Sequence, residues 1–363
     1  MDKLGSVVRM ASRAAAAGLL LASTGCQLIG PRTIDVSRVR YNDVIQQTEN
    51  EQMLLNLVRL RYSDTPFFLE VASVSTAFEL RTGGSFGVTF SPGTYALGGG
   101  VELAEQPTVT YTPLQGERFV KSLLTPLELP TLLLLYHSGW AIDRVLRITV
   151  QELNGVPNAP SASGPTPSIA PEWEAFSRVT ELLRALQEHG EMSLAGQMTP
   201  DGPVLNLRIT ARAVGGPRHQ ELARLLSIDP GRASYGIVLD GGQRRNDQIA
   251  VVTRSLMAGF FYVSQGVEVP AEDEEAGRVT VTRTPDGERF DWKFISEELF
   301  RVRQSDDLPT DASFNTRYRE RWFYIEDADL ESESTFALLM QLFSLQSGDS
   351  AASGPILTLP VSR

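Results

Sequence analysis

The side chains able to do chemistry are few and scattered. The 363-residue chain has three histidines, His137, His189 and His219, and a single cysteine, Cys26. No histidine has a glutamate or a second histidine at the spacing of a helical metal site such as H-E-x-x-H. No G-x-S-x-G, Walker or dinucleotide fingerprint occurs. Gly348-Asp349-Ser350 lies in a Gly/Ser/Ala stretch with no histidine after it, which reads as a loop. The alternating acids Asp327, Asp329, Glu331 and Glu333 resemble a calcium loop only in part, lacking the glycine and the spaced glutamate such a loop needs. Asp329 suits a helix N-cap, with Glu331 and Glu333 placed to complement the helix dipole. The run Glu272 to Glu275, after Pro270, reads as a solvated loop. No catalytic residue, metal or cofactor is expected, and the protein is read as not an enzyme.

One polar pattern is regular. Arg317, Arg319 and Arg321 alternate with Tyr318, Glu320 and Trp322, so a strand over 317–325 would carry three guanidiniums on one face. Such a row could grip phosphates, the carboxylates of an envelope polymer or an acidic partner. It could equally be a solvent-facing strand paired with acidic neighbours, or an edge blunted by charge.

The elements that would position these residues follow from periodicity. Residues 41–62 have Leu54, Leu57, Val58 and Arg61 at helical spacing. Two short helices are expected over 115–136, split near Pro126 and Pro130, then strand or helix over 144–153. Further helices are expected over 172–188, 217–227, 248–264 and 330–346, and strands over 203–212, 234–239 and 355–361. A hairpin over 278–295 would turn at Pro285-Asp286-Gly287. Long segments of both kinds without regular βαβ alternation give an α+β fold with a largely antiparallel sheet.

The most distinctive stretch is a β-hairpin over 72–112. From Val74 to Phe90 the even positions are Val, Thr, Phe, Leu, Thr, Gly, Phe, Val and Phe, while the odd positions are small or polar. That alternation outlasts the usual strand of about 5–6 residues. Pro92-Gly93 supply a turn, and Tyr95, Leu97, Gly99, Val101 and Leu103 return on the apolar side; pairing 91 with 94 sets Phe86 over Gly99. The apolar face is expected to lie against the protein's own helices. The alternative is that several copies each lend a hairpin to a shared barrel, since a membrane strand needs only about 9–11 residues. In lipid a lone ribbon would leave its edges unsatisfied, so that alternative requires oligomers.

The amino terminus gives an address. Lys3, Arg9 and Arg13 precede a short apolar core, Ala14 to Ala22, which ends in Ser23-Thr24-Gly25-Cys26. The core is too short to span a membrane and fits a secretory signal. With its cysteine it resembles the lipobox of bacterial lipoproteins, with Ser23 standing where leucine is usual. The resemblance covers only about the first 27 residues. It implies cleavage before Cys26, acylation of that residue, and, because Gln27 and not aspartate follows, retention in the outer membrane. Removing residues 1–25 leaves 338 residues and takes the net charge from −11 to −13. So acidic a chain is a poor partner for nucleic acid.

Val156–Pro171, rich in Pro, Ser and Ala and without charge, reads as a flexible spacer. The expected organisation is thus a signal peptide over 1–25, a helix-plus-hairpin region over 26–155, the spacer over 156–171 and an α+β domain over 172–363. The functional expectation is a lipid-anchored outer-membrane lipoprotein, a non-enzymatic structural or accessory component of a cell-envelope assembly facing the periplasm. An oligomeric export pore, or a periplasmic binding protein or enzyme without a recognisable motif, stays open beside it. Partners would be the outer membrane through Cys26, other proteins or further copies of the chain. Substituting Cys26→Ser is expected to abolish labelling by radioactive fatty acid and to stop processing; a labelled, membrane-bound variant would refute the lipobox.

Overall fold

A computed structural model describes residues 29–84, 99–199, 202–239, 245–347 and 357–360. Cys26, the hairpin tip and Gly348-Asp349-Ser350 lie outside them. The fold is α+β, with mostly antiparallel sheets. The chain divides into two units, residues 1–51 and 52–363, and the second holds every described sheet.

Helix α1 (Ile29–Arg61) contains the periodic segment seen in the sequence. Its last turns bury Met53, Leu54, Leu57, Val58 and Leu60. The helix ends because Ser63 adopts a left-handed conformation, φ 58°, so that the Asp64 N–H bonds back to the Arg59 carbonyl. This is the helix stop that glycine usually supplies. Strands β1 (Phe68–Gly84) and β2 (Gly99–Leu114) follow as an antiparallel ribbon. The last strand, β12 (Leu357–Pro360), pairs with β2, so β1 forms one edge of the sheet.

Helices α2 (Glu117–Leu124) and α3 (Leu129–His137) are split as the prolines require, with Pro130 in the first turn of α3. The ambiguous 144–153 segment is both kinds in succession: α4 (Ile142–Thr149) runs into β3 (Val150–Leu153). After β4 (Val156–Pro157) come α5 (Glu174–Glu188), β5 (Met192–Thr199), β6 (Gly202–Ile209), α6 (Pro217–Leu226), β7 (Ser234–Leu239) and β8 (Gln248–Thr253). The six strands assemble in the order β4-β3-β8-β7-β6-β5, with only β7 and β8 parallel. Helix α5 contacts α4, α6, β4 and β5. It buries Phe176, Val179, Leu182, Leu183 and Leu186, each worth roughly 1.5–3 kcal/mol of transfer free energy.

The expected helix over 248–264 is a strand followed by a helix, α7 (Leu256–Ser264). Ile249, Val251 and Val252 are β-formers in the sheet, and Ser255 caps the new helix by accepting from the Ala258 N–H. Short helices α8 (Ala271–Glu275) and α9 (Lys293–Ser296) follow. The turn expected at 285–287 forms, with Gly287 at φ 87° and its N–H bonded to the Thr284 carbonyl. Its arms, however, make only isolated bridges at Arg283, not strands. A small sheet, β9 (Arg303–Ser305), β10 (Ala312–Tyr318) and β11 (Arg321–Glu326), precedes α10 (Leu330–Ser347). Asp329 caps α10 through the Ser332 N–H and hydroxyl.

The stretch 156–171 is not an open spacer. It begins as strand β4, continues in a 3-10 turn at Pro160–Ser163, and buries Ala159, Ala162 and Pro167. The reason lies beneath it. Arg254, 1 % exposed, donates to the carbonyls of Arg147, Val150, Asn158 and Ala159 and to the Ser163 hydroxyl, and its guanidinium stacks 4.1 Å from the Tyr262 ring centre. Burial lowers its pKa to about 10, so it stays charged at neutral pH. Asn158 adds bonds to the same Arg147 and Val150 carbonyls. Small residues were needed because the segment closes over a buried cation, and composition alone made that look like flexibility. Arg254→Met is expected to destabilise the protein by about 3–5 kcal/mol, by leaving several carbonyls without donors. Urea unfolding checks this, and the same variant should become protease-sensitive within 156–171.

Candidate functional site

The ribbon is the first candidate, and its base is built by α1. Two side-chain amides stand in for a neighbouring strand. Gln52 donates to the Leu69 carbonyl at 2.9 Å and accepts from its N–H at 2.7 Å. Asn56, 1 % exposed, does the same for Phe67, at 2.8 and 2.9 Å. Four helical residues rise about 6 Å and two strand residues about 6.6 Å, so amides at i and i+4 match alternate positions of an extended chain. Phe68, between the clamped residues, turns inward onto Phe119, Phe260 and Phe343, with ring centres 6.0, 6.2 and 4.7 Å away.

One residue then changes the sense of the ribbon. Phe68 pairs with Leu114 and Val71 with Tyr111, but Ser73 pairs with Thr110, leaving Ala72 as the extra residue of a bulge. Phe68, Leu114 and Thr112 are buried at the base. Beyond the bulge, the register positions continuing their side are Ser73, Ser75, Ala77, Glu79 and Arg81, opposite Thr110, Thr108, Gln106, Ala104 and Glu102. Val74, Thr76, Phe78, Leu80 and Thr82 fall in the other set. The apolar positions thus continue the side that is turned away from the core at the base. The register also differs from the expected one: Gly99 pairs with Gly84, not Phe86, a shift of two that keeps the same positions together. Among the described residues β1 has β2 on one side, and beyond the clamps at Phe67 and Leu69 its other edge has no partner strand.

The arginine row is the second candidate, and the structure takes it apart. The expected strand 317–325 is a tight hairpin whose two turn residues, Arg319 and Glu320, have φ 46° and 70°. These values fit the primed turn that suits strand twist, although glycine or asparagine is usual there. Arg317 pairs with Trp322 and Tyr318 with Arg321, so the three guanidiniums do not share a face. Arg317 is exposed, its guanidinium 6.0 Å from the Trp322 ring centre. Arg321 pairs with Asp306 at 2.6 Å and Glu272 at 3.2 Å. Arg319 lies 4.8 Å from the Tyr62 ring centre and 3.1 Å from the Asp64 carboxylate.

Around Arg319 a latch forms that the sequence did not signal. Tyr318 donates to Asp64, and Tyr62 donates to Asp273 at 2.5 Å. Asp273, expected in solvent, is buried on α8 and also bonded to Arg278. Burial opposes its charge, yet the hydrogen bonds from Tyr62 and Arg278 prevail and hold its carboxyl below the ordinary value. Burial, then the bond to Asp273, raises the Tyr62 phenol. The bond from Tyr318 lowers Asp64, burial opposes it, and the bond from Arg319 adds to the lowering. The acids stay ionised and the phenols protonated through neutral pH, an arrangement suited to holding and not to proton transfer.

The histidines are dispersed over α3, the end of α5 and α6. His219 is buried, accepts from the Gly215 N–H at Nδ1 and bonds Tyr235 through Nε2 at 2.8 Å. Among the described residues no three His, Cys, Asp or Glu side chains could hold a metal ion together, and no helix is long and apolar enough to cross a membrane. Comparison with family models, with curated proteins and with solved structures found no significant match.

The latch has a pH signature. Asp64 is held below its unfolded pKa of 3.8, so its contribution is present above that pH and is lost as pH falls through the folded value. It is part-exposed, so screening limits the contribution to about 0.5–1 kcal/mol. Asp64→Asn should lower the melting midpoint slightly at pH 7 and show a shallower fall than the unsubstituted protein between pH 4 and 3, as thermal melts across that range would show.

Proposed function

We propose that the protein is a lipid-anchored outer-membrane lipoprotein and a non-enzymatic structural component of a cell-envelope assembly. Acyl chains on Cys26 hold it to the membrane, where two or more buried chains retain a protein far better than one. The 72–112 ribbon is the element by which copies join. The observation that carries this reading is the edge of β1. Its base is clamped by Gln52 and Asn56 and pinned by Phe68, and beyond them, among the described residues, it has a partner strand on one side only. An unpartnered edge of that length is a template for another chain.

A second reading, an export pore made of many such ribbons, is favoured by the bulge at Ala72. It puts the apolar positions on the side continuous with the outside of the base. From Leu80 to Leu103 the only charges are Arg81 and Glu102, both in the polar set. In sequence that is about the length two membrane-spanning strands need, with apolar residues at alternate positions.

Detergent-extracted full-length protein is expected to run as a large closed oligomer. Phe86→Asp should leave its melting midpoint unchanged and abolish assembly. A monomer in detergent, or a midpoint lowered by several degrees through an unpaired charge in a core, would instead return the ribbon to an ordinary soluble sheet.

A further inference from the structure

A polar cavity of about 370 Å³ is lined by none of the ribbon residues. It is the size of a small-molecule site, though more polar than most. The end of α1 contributes Arg61, the residues after α7 contribute Gln265 to Val269, and the segment around α9 contributes Phe290 to Lys293, Ser296 and Glu297. Its frame is rigid. Gly266 approaches Phe300 so closely that an added Cβ would fall 2.2 Å from the Phe300 carbonyl oxygen, and the Glu268 N–H and Val302 N–H complete bonds across that contact. The Trp292 indole N–H donates to the Thr282 hydroxyl at 2.9 Å, and that hydroxyl donates on to the Pro167 carbonyl.

Two deeply buried side chains on this wall are incompletely satisfied. Arg61 is 7 % exposed; its Nη1 donates to the Thr280 carbonyl at 3.2 Å, while its Nε has no partner. Gln265 is 5 % exposed; its Nε2 donates to the Phe261 carbonyl, while its Oε1 has no partner. Buried polar groups are nearly always paired, and each lapse calls for an explanation. Other charges on the lining are already matched, exposed Arg289 with Glu274 and part-buried Arg301 with Glu268. Arg61 is attracted by Glu274, but that carboxylate is held by Arg289 at 2.5 Å. The cavity wall thus carries a buried guanidinium with no carboxylate of its own. Its exposed lining carries two acids, Asp291 and Glu297, and two cations, Lys293 and Arg289, the last already paired with Glu274.

We infer that this cavity binds a small zwitterion of the amino-acid class, its carboxylate taken by Arg61 and its ammonium by the carboxylates of Asp291 and Glu297 at the rim, beside Gln265. Guanidinium and carboxylate match in planar geometry and charge, and a counter-ion for Arg61 relieves a buried, unpaired cation. The rim then selects for a positive group at the other end, which a simple acid lacks.

The test uses the full-length protein and three probes: alanine, propionate and inorganic phosphate. Alanine is expected to raise the melting midpoint saturably, with a Kd on the order of 0.1–1 mM by calorimetry. Propionate should bind at least about tenfold more weakly, and phosphate weaker still. Arg61→Gln should remove alanine binding. The exposed pair Asp291→Asn/Glu297→Gln, which touches no core group, should weaken alanine about tenfold and leave propionate unchanged. No heat or midpoint shift with alanine at about 10 mM overturns the inference. Equal binding of phosphate, or alanine binding undiminished in the rim pair, overturns it too. If Arg61→Gln does not fold, the rim pair decides alone.

Discussion

A buried positive charge organises much of this chain. Arg254 stands at the end of β8, where its own N–H bonds to the Thr149 carbonyl and its own carbonyl accepts from Leu127. It therefore ties together α4, the approach to α3 and the start of α7 through its backbone. Its guanidinium then gathers carbonyls from the α4–β3 junction and from the 158–163 turn. A desolvated cation with no carboxylate near it is stable only if its donors are met by well-placed oxygens, and that demand is geometric. It fixes where the segment crossing over it must lie, and so joins residues on both sides of the supposed spacer into one body.

This explains which parts of the fold could be read in advance. Elements whose burial is periodic were legible: the C-terminal turns of α1, the proline-split pair α2 and α3, and α5 and α10 with its Asp329 cap. Elements whose burial depends on a distant partner were not. Val156–Pro171 offers small uncharged residues, and only the guanidinium beneath shows that smallness served close approach. The 248–264 segment is apolar throughout, so its break from strand to helix at Arg254 and Ser255 left no periodic trace. The arginine alternation was a true two-residue period, interrupted by a turn at Arg319-Glu320 that carries neither glycine nor asparagine.

The candidate sites divide in the same way. The ribbon announced itself, because alternation over many residues has few causes. Its clamps did not: Gln52 and Asn56 look like ordinary polar residues on a helix until the strand they complete is placed beside them. The Tyr62, Asp64 and Asp273 latch joins residues more than 200 positions apart, and the Arg61–Gln265 wall does likewise. No local spacing carries such pairings. The i, i+4 separation of Gln52 and Asn56, next to a strand start, was the one signal available for the clamps.

The bulge at Ala72 gives the ribbon a reading frame. Its two sides are distinguished only by parity, and one unmatched residue sets which parity continues the core side. Lengthening or shortening either arm beyond it by two residues would preserve the assignment and merely change the reach. A change of one would exchange the sides over everything downstream, as a single-base deletion garbles the codons after it. The length of this element can therefore drift only in doublets, unless a second bulge restores the frame.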